Sequence, residues 1–69
     1  MAVKLTVEID REEDGRWIAE VVEIPGALAY GATQEEAVRE AKAIAFAALG
    51  RRAHSENIDS VEFVASACA

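Results

Sequence analysis

Residues 14–37 read DGRWIAEVVEIPGALAYGATQEEA, and this stretch sets the order of the elements around it. Asp14 and Gly15 form a turn pair, because aspartate bonds nearby backbone groups and glycine accepts a positive φ. Trp17–Glu23 then mixes β-branched and aromatic residues, which favours a strand. On this strand Trp17 alternates with Ile18, so the two faces are both partly apolar and Trp17 is predicted to pack beneath a helix.

A second turn follows at Pro25 and Gly26, since proline cannot donate to a β-ladder and glycine permits the chain to reverse. The short apolar run Ala27–Tyr30 predicts an edge strand. We expect Gly31 to end that strand before the helix begins.

Helix-capping residues come next. Thr33 is placed to cap a helix while Glu36 reaches back to it, which is the pattern of a capping box. The helix is predicted over about Gln34–Leu49, with Gly50 as its stop signal. At about 100° per residue, one apolar stripe is expected to be buried: Ala37, Val38, Ala41, Ile44, Ala45, Ala48 and Leu49.

Working outward, residues 3–10 alternate apolar and polar and predict a first, half-buried strand. Arg11–Gly15 forms a charged hairpin loop, Arg51–Asn57 a polar connection, and Ser60–Ala65 a last strand. The predicted fold class is α+β, with order β-β-β-α-β and strand four parallel to strand one in a four-stranded mixed sheet. One helix covers only one face of that sheet; the other face is expected to carry Ile18, Val22 and either Ile24 or Val64.

Composition limits the possible functions. A chain of 69 residues forms one domain, 1–69 with its core at about 3–65, and fifteen alanines make that core thin. One cysteine and one histidine argue against an internal disulfide, a zinc site or any other cofactor. We therefore expect a homodimer or higher homo-oligomer. The net charge of −6 opposes direct nucleic-acid binding and favours a basic partner. Lack of a signal peptide or a long apolar run predicts a cytoplasmic protein without membrane contact.

The central stretch resembles the N-terminal domain of HicB-type antitoxins from bacterial toxin–antitoxin pairs. That family shows an aromatic and a small residue after a charged loop, a "P-E-x-P-G-C" type turn and then Gly-x-T-x-E-E-A. The matching positions here are Gly15, Trp17, Ala19, Glu23, Ile24, Pro25, Gly26, Gly31, Thr33, Glu35, Glu36 and Ala37. Ala27 stands where the family often has cysteine.

The resemblance covers about residues 3–65 and implies a partial ribonuclease-H-like fold. It also implies a binding role, in which the domain occludes a small, basic, RNA-cleaving HicA-type toxin. Because the chain ends at Ala69, we expect a stand-alone domain without the DNA-binding segment of many full-length members. One alternative is an orphan, self-associating module that binds another protein or a small ligand.

Charge and position indicate the residues that would contact a partner, and no residue is assigned a catalytic role. The predicted partner-binding residues are Glu12, Glu13 and Asp14 in the hairpin loop, Glu20 and Glu23 near the second turn, and Phe46 on the polar side of the helix.

A metal-dependent nuclease is the remaining alternative, since enzymes of the ribonuclease-H type hold metal ions with clustered carboxylates. Its acids would come from Glu8 or Asp10, Glu36 or Glu40, and Asp59 or Glu62, although solvated surface acids are the simpler interpretation. His54, followed by Ser55 and Glu56, is interpreted as a surface-loop residue, Cys68 as a free thiol, and Arg51-Arg52 as favourable charges after the helix C-terminus.

Overall fold

A computed structural model describes residues 2–52 and 58–67, excluding the side chains of Arg52 and Ala67. The elements follow the order β-β-β-α-β. They are β1 (Ala2–Arg11), β2 (Trp17–Val21), β3 (Leu28–Gly31), α1 (Gln34–Arg52) and β4 (Ser60–Ala67). The predicted α+β class is confirmed.

The four strands form one mixed sheet in the order β3-β2-β1-β4. Hairpin connections make β1–β2 and β2–β3 antiparallel, whereas the helical crossover makes β4 parallel to β1. The predictions that β3 lies at an edge and that strand four runs parallel to strand one are both confirmed. The backbone of α1 lies over β2 and β3 and contacts β4 only through side chains.

The core lies between α1 and one face of the sheet, and small side chains bring these layers close together. From the helix, Ala37, Ala41 and Ala45 are completely buried, as is Ala19 opposite them on β2. The other buried apolar residues are Leu5, Val7, Ile9, Val21, Ile24, Ala27 and Leu49. Ile44 was expected in the buried stripe, but it is exposed because it lies on the helix flank that faces past β3.

Both predicted turns form, and the second has a defined type. The N–H of Ala27 donates to the carbonyl of Ile24 at 3.1 Å, and Gly26 has a φ of 86°. Proline at the second position and a glycine with positive φ at the third define a type II turn. An earlier turn precedes it, in which the N–H of Ile24 donates to the Val21 carbonyl at 3.1 Å. As a result β2 ends at Val21 rather than Glu23, and Ile24 is buried in the core instead of lying on the uncovered face.

The helix begins as predicted and ends later than predicted. The N–H of Glu36 donates to the Thr33 hydroxyl at 3.1 Å, so Thr33 is the N-cap. Within residues 2–52 and 58–67 the Glu36 carboxylate accepts no hydrogen bond from the backbone N–H of Thr33. Of the two reciprocal bonds of the predicted capping box, only the one to the Thr33 hydroxyl therefore forms.

Gly50 does not stop the helix, which continues to Arg52. The prediction was wrong because glycine ends a helix by adopting a positive φ, and Gly50 has none. Arg51 and Arg52 therefore lie in the last helical turn rather than after it, where their charges complement the helix dipole.

Gly31 is the buried last residue of β3 rather than a break after it. A Cβ atom at this position would lie only 2.6 Å from the backbone nitrogen of Ala37. The start of α1 therefore packs directly against the backbone of β3, and a residue without a side chain is required there.

Candidate functional site: the uncovered face of the sheet

The face of the sheet opposite α1 is named here the open face. The strand register places Glu8 of β1 directly opposite Glu20 of β2, and Asp10 opposite Ile18. Like charges directly opposite each other on neighbouring strands are destabilising. The open face therefore concentrates negative charge at its centre. A cationic partner would reduce the repulsion between Glu8 and Glu20.

Apolar side chains border this acidic centre. Ile18, Leu28 and Tyr30 lie on the open face of β2 and β3, and Val64 lies on that of β4. Val22 and Val64, which were predicted for the uncovered face, are exposed, and so are Leu28 and Tyr30, which were not predicted there. Aromatic residues such as Tyr30 are enriched at the core of protein–protein interfaces and charged residues are depleted there, so this apolar border rather than the acidic centre would be the most fully buried part of an interface.

The hairpin loop contributes fewer free charges than its sequence suggests. Asp14 accepts a hydrogen bond from the N–H of Arg16 at 3.1 Å and another from its Nε at 2.7 Å. These bonds and the nearby guanidinium lower the pKa of Asp14 below its ordinary value. Glu12 and Glu13 are the other two acids of the loop. The turn itself requires the positive φ of 93° that Gly15 adopts.

Arg16 also joins the loop to the edge strand, a link that sequence reasoning missed. Its guanidinium carbon lies 4.7 Å from the centre of the Tyr30 ring. A cation over an aromatic face is attracted by the ring quadrupole. Asp14, Arg16 and Tyr30 thus form one ordered cluster at the corner of the open face, although the partner-binding role of Asp14 stays a prediction.

Glu23 has a structural role that the sequence did not reveal. Its carboxylate accepts hydrogen bonds from the Thr6 backbone N–H at 2.7 Å and from the Thr6 hydroxyl at 2.9 Å. The N–H of Val22 donates to the Thr6 carbonyl at 3.0 Å, so Glu23 takes over the ladder bond of β1 where β2 turns away. These two donors lower the pKa of Glu23 below its ordinary value of 4.5.

Replacing Glu23 with glutamine should reduce stability in a pH-dependent way. A carboxyl group whose pKa is lowered in the folded state stabilises that state above its unfolded pKa, and the stabilisation disappears as pH falls through the folded pKa. Urea midpoints of the native chain and Glu23→Gln should therefore differ at pH 7 and converge as the pH falls through the lowered pKa of Glu23. Glu13→Gln, on the hairpin loop, is the matched control; a pH-independent gap for Glu23→Gln would contradict the assignment.

On the helix side of the sheet, a groove of about 630 Å³ lies between α1 and β4. Its apolar lining includes Ile9, Val38 and Ala65. Phe46 is 53% exposed at its margin, and its ring packs edge-on against Phe63 of β4, with centroids 5.3 Å apart. Sequence reasoning found the exposure of Phe46 and missed its partner, because the two residues meet only through the fold.

Lys42 also contacts this aromatic pair, with its Nζ atom 5.0 Å from the centre of the Phe63 ring. Trp17 is half-buried against the core on the helix side, as predicted, and the guanidinium of Arg11 lies 5.4 Å from its ring centre. Phe46 as a partner-binding residue stays a prediction.

The acids proposed for metal binding are divided by the sheet. Glu8, Asp10 and Glu62 lie on the open face, with Glu62 opposite Lys4. Glu36 and Glu40 belong to the helix on the other side. Among residues 2–52 and 58–67 no three or more acidic, histidine or cysteine side chains are grouped to hold a metal ion. His54, Ser55, Glu56 and Cys68 lie outside the described residues.

Comparison with family models, curated proteins and solved structures finds no match to this chain. In the part of the chain that the structure describes, no helix is both long enough and apolar enough to cross a membrane.

Proposed function

We propose that this chain is a HicB-like, antitoxin-type binding module that occludes a small, basic, RNA-cleaving partner of the HicA kind. The proposal combines the sequence resemblance, which implies a partial ribonuclease-H-like fold and an antitoxin role, with the chemistry of the open face. A cytoplasmic location is proposed from the sequence itself. The single observation that carries it is the pairing of Glu8 with Glu20 on a face that α1 leaves uncovered.

The electrostatics of this face favour a cationic partner. Asp10 and the loop acids Glu12 and Glu13 extend the negative charge of the Glu8–Glu20 pair along one side of the protein. An RNA-cleaving protein needs a positive surface to hold phosphates. Attraction between the two surfaces would speed association and select against acidic partners.

Apolar contacts would supply the rest of the binding energy. Leu28 and Tyr30 lie beside the acidic centre and expose area that a partner would bury. Arg16 holds the Tyr30 ring against the hairpin loop, so less side-chain freedom is lost when the ring enters an interface. In this mechanism inhibition is steric: the module covers the RNA-binding surface and carries out no chemistry.

The experiment is affinity purification of the tagged chain from lysate of its native host, with recovered proteins identified by mass spectrometry. We expect a small basic protein that cleaves RNA when separated from the chain and stops doing so when the chain is added back. The double variant Glu8→Gln, Glu20→Gln should weaken this complex by about tenfold or more. Glu35→Gln, Glu36→Gln, which removes the same charge from the helix start, should leave it unchanged.

Two outcomes would refute the proposal. Recovery of the chain alone, or of a partner without RNA-cleaving activity, would favour the orphan module. Equal weakening by the open-face and helix variants would show that net charge rather than the Glu8–Glu20 pair governs binding.

A further inference from the structure

The C-terminal half of α1 has an unusual surface for an exposed helix. Residues 43–50 read AIAFAALG and contain no charged or polar side chain over two turns. Ile44 is 42% exposed and Phe46 is 53% exposed. Surface helices normally place polar residues opposite the buried stripe, so this half of α1 has the composition of a helix that is covered on more than one side.

The two exposed apolar residues lie on different flanks of the helix. Phe46 lies on the flank toward β4, where it lines the groove with Val38 and Lys42. Ile44 lies on the opposite flank, beyond β3. At helical spacing the residues that share this flank are Glu40, Ile44, Ala47 and Arg51, all of them exposed. These four residues are named the outer flank.

Charges at the two ends of the outer flank are opposite in sign and lack partners within the helix. Glu40 lies at its N-terminal end and Arg51 at its C-terminal end, with apolar Ile44 and Ala47 between them. Neither charged residue has an oppositely charged residue three or four positions away. Among the described residues, neither forms an ion pair.

We propose that a second copy of this chain packs antiparallel along the outer flank and forms a two-fold symmetric dimer. Antiparallel alignment places Glu40 of each copy beside Arg51 of the other, so the dimer contains two equivalent pairs of opposite charge. It also sets Ile44 against the small Ala47 of the second copy, which lets the helices approach to the 8–10 Å separation of packed helices.

The charge pattern is what selects a second copy as the occupant. A two-fold interface requires one surface to be complementary to itself when reversed, and an acid–apolar–apolar–base order has that property. A parallel alignment would instead place Glu40 against Glu40 and Arg51 against Arg51. The dimer does not depend on the antitoxin proposal, because the outer flank and the open face lie on opposite sides of the sheet.

Sedimentation equilibrium of the full chain over about 1–200 μM tests this arrangement. The native chain should sediment as a dimer. Ile44→Glu should sediment as a monomer, because it adds one negative charge from each copy to a contact that already holds Glu40 of both copies. Arg51→Glu and Glu40→Arg should each raise the dimer dissociation constant by about tenfold or more. The double variant Glu40→Arg, Arg51→Glu restores the opposite pairs and should return the constant to within about threefold of the native value.

Arg39→Glu is the matched control, since it makes the same charge reversal on the groove flank and should leave the dimer intact. Circular dichroism of every variant checks that the fold is retained. A monomeric native chain would overturn the proposal. So would a double variant as weak as the single ones, or an effect of Arg39→Glu equal to that of Arg51→Glu.

Discussion

Replacing Gly31 with alanine is expected to lower the free energy of unfolding by about 3 kcal/mol. The added Cβ would lie 2.6 Å from the nitrogen of Ala37 and 3.1 Å from its Cα, and both are backbone atoms that no rotamer change can move. The start of α1 would have to shift away from β3. That shift would also open the contact between the helix and the sheet, which depends on completely buried alanines such as Ala41.

Urea unfolding at a fixed protein concentration measures this effect. Gly50→Ala is the matched control, because nothing lies within 4 Å of the Cβ it would add. It should raise stability by about 0.5–1 kcal/mol, the difference between glycine and alanine inside a helix. A small domain is only marginally stable. A loss of about 3 kcal/mol in Gly31→Ala would therefore leave part of the population unfolded even without urea. A midpoint unchanged from that of the native chain would show that the close approach at Gly31 is absent.

Local chemistry made much of the fold predictable. Three features depend on residues that are close together in the sequence. They are the alternating pattern of β1, the turn at Pro25 and Gly26, and the Thr33 cap. Their order then predicted the mixed sheet, because a helical crossover after three antiparallel strands returns the chain parallel to the first.

Errors arose where the outcome depends on residues far apart in the chain. Ile24 is buried because the early turn directs it into the core, and Gly31 is needed because α1 approaches β3. Gly50 has no positive φ, and the helix continues through it to Arg52. The burial of Ile24 and the close approach at Gly31 cannot be inferred from the residue type or from its immediate neighbours in the sequence.

The same distinction applies to the candidate site. Alternation along β1 puts Glu8 and Asp10 on the same side of the strand, but the residues opposite them on β2 follow only from the strand register. Glu23 looked like a free acid beside a turn, whereas it bonds to Thr6, seventeen residues earlier. A charge read from sequence therefore gives the sign of a surface, and the fold decides which charges remain available to a partner.

Truncating Leu5 to alanine should cost about 3 kcal/mol, within the range of 2–5 kcal/mol for a buried leucine. Leu5 is 2% exposed at the centre of β1, opposite Phe63 of β4. Its removal loses the transfer free energy of the side chain and leaves a cavity. How much of that cost is recovered depends on whether neighbouring groups can move into the space.

The alanine-rich composition of this core limits such recovery. Ala41 and Ala45 have no rotatable side chain that could reach into a cavity, so these helix residues could fill it only if α1 moved toward the sheet. Leu28→Ala makes the same chemical change at a site that is 41% exposed on the open face, and it should cost less than about 1 kcal/mol. Urea unfolding of both variants separates burial from side-chain identity. Equal losses would mean that Leu5 is not enclosed by a rigid core, and the thin alanine layer would then be deformable rather than close-packed.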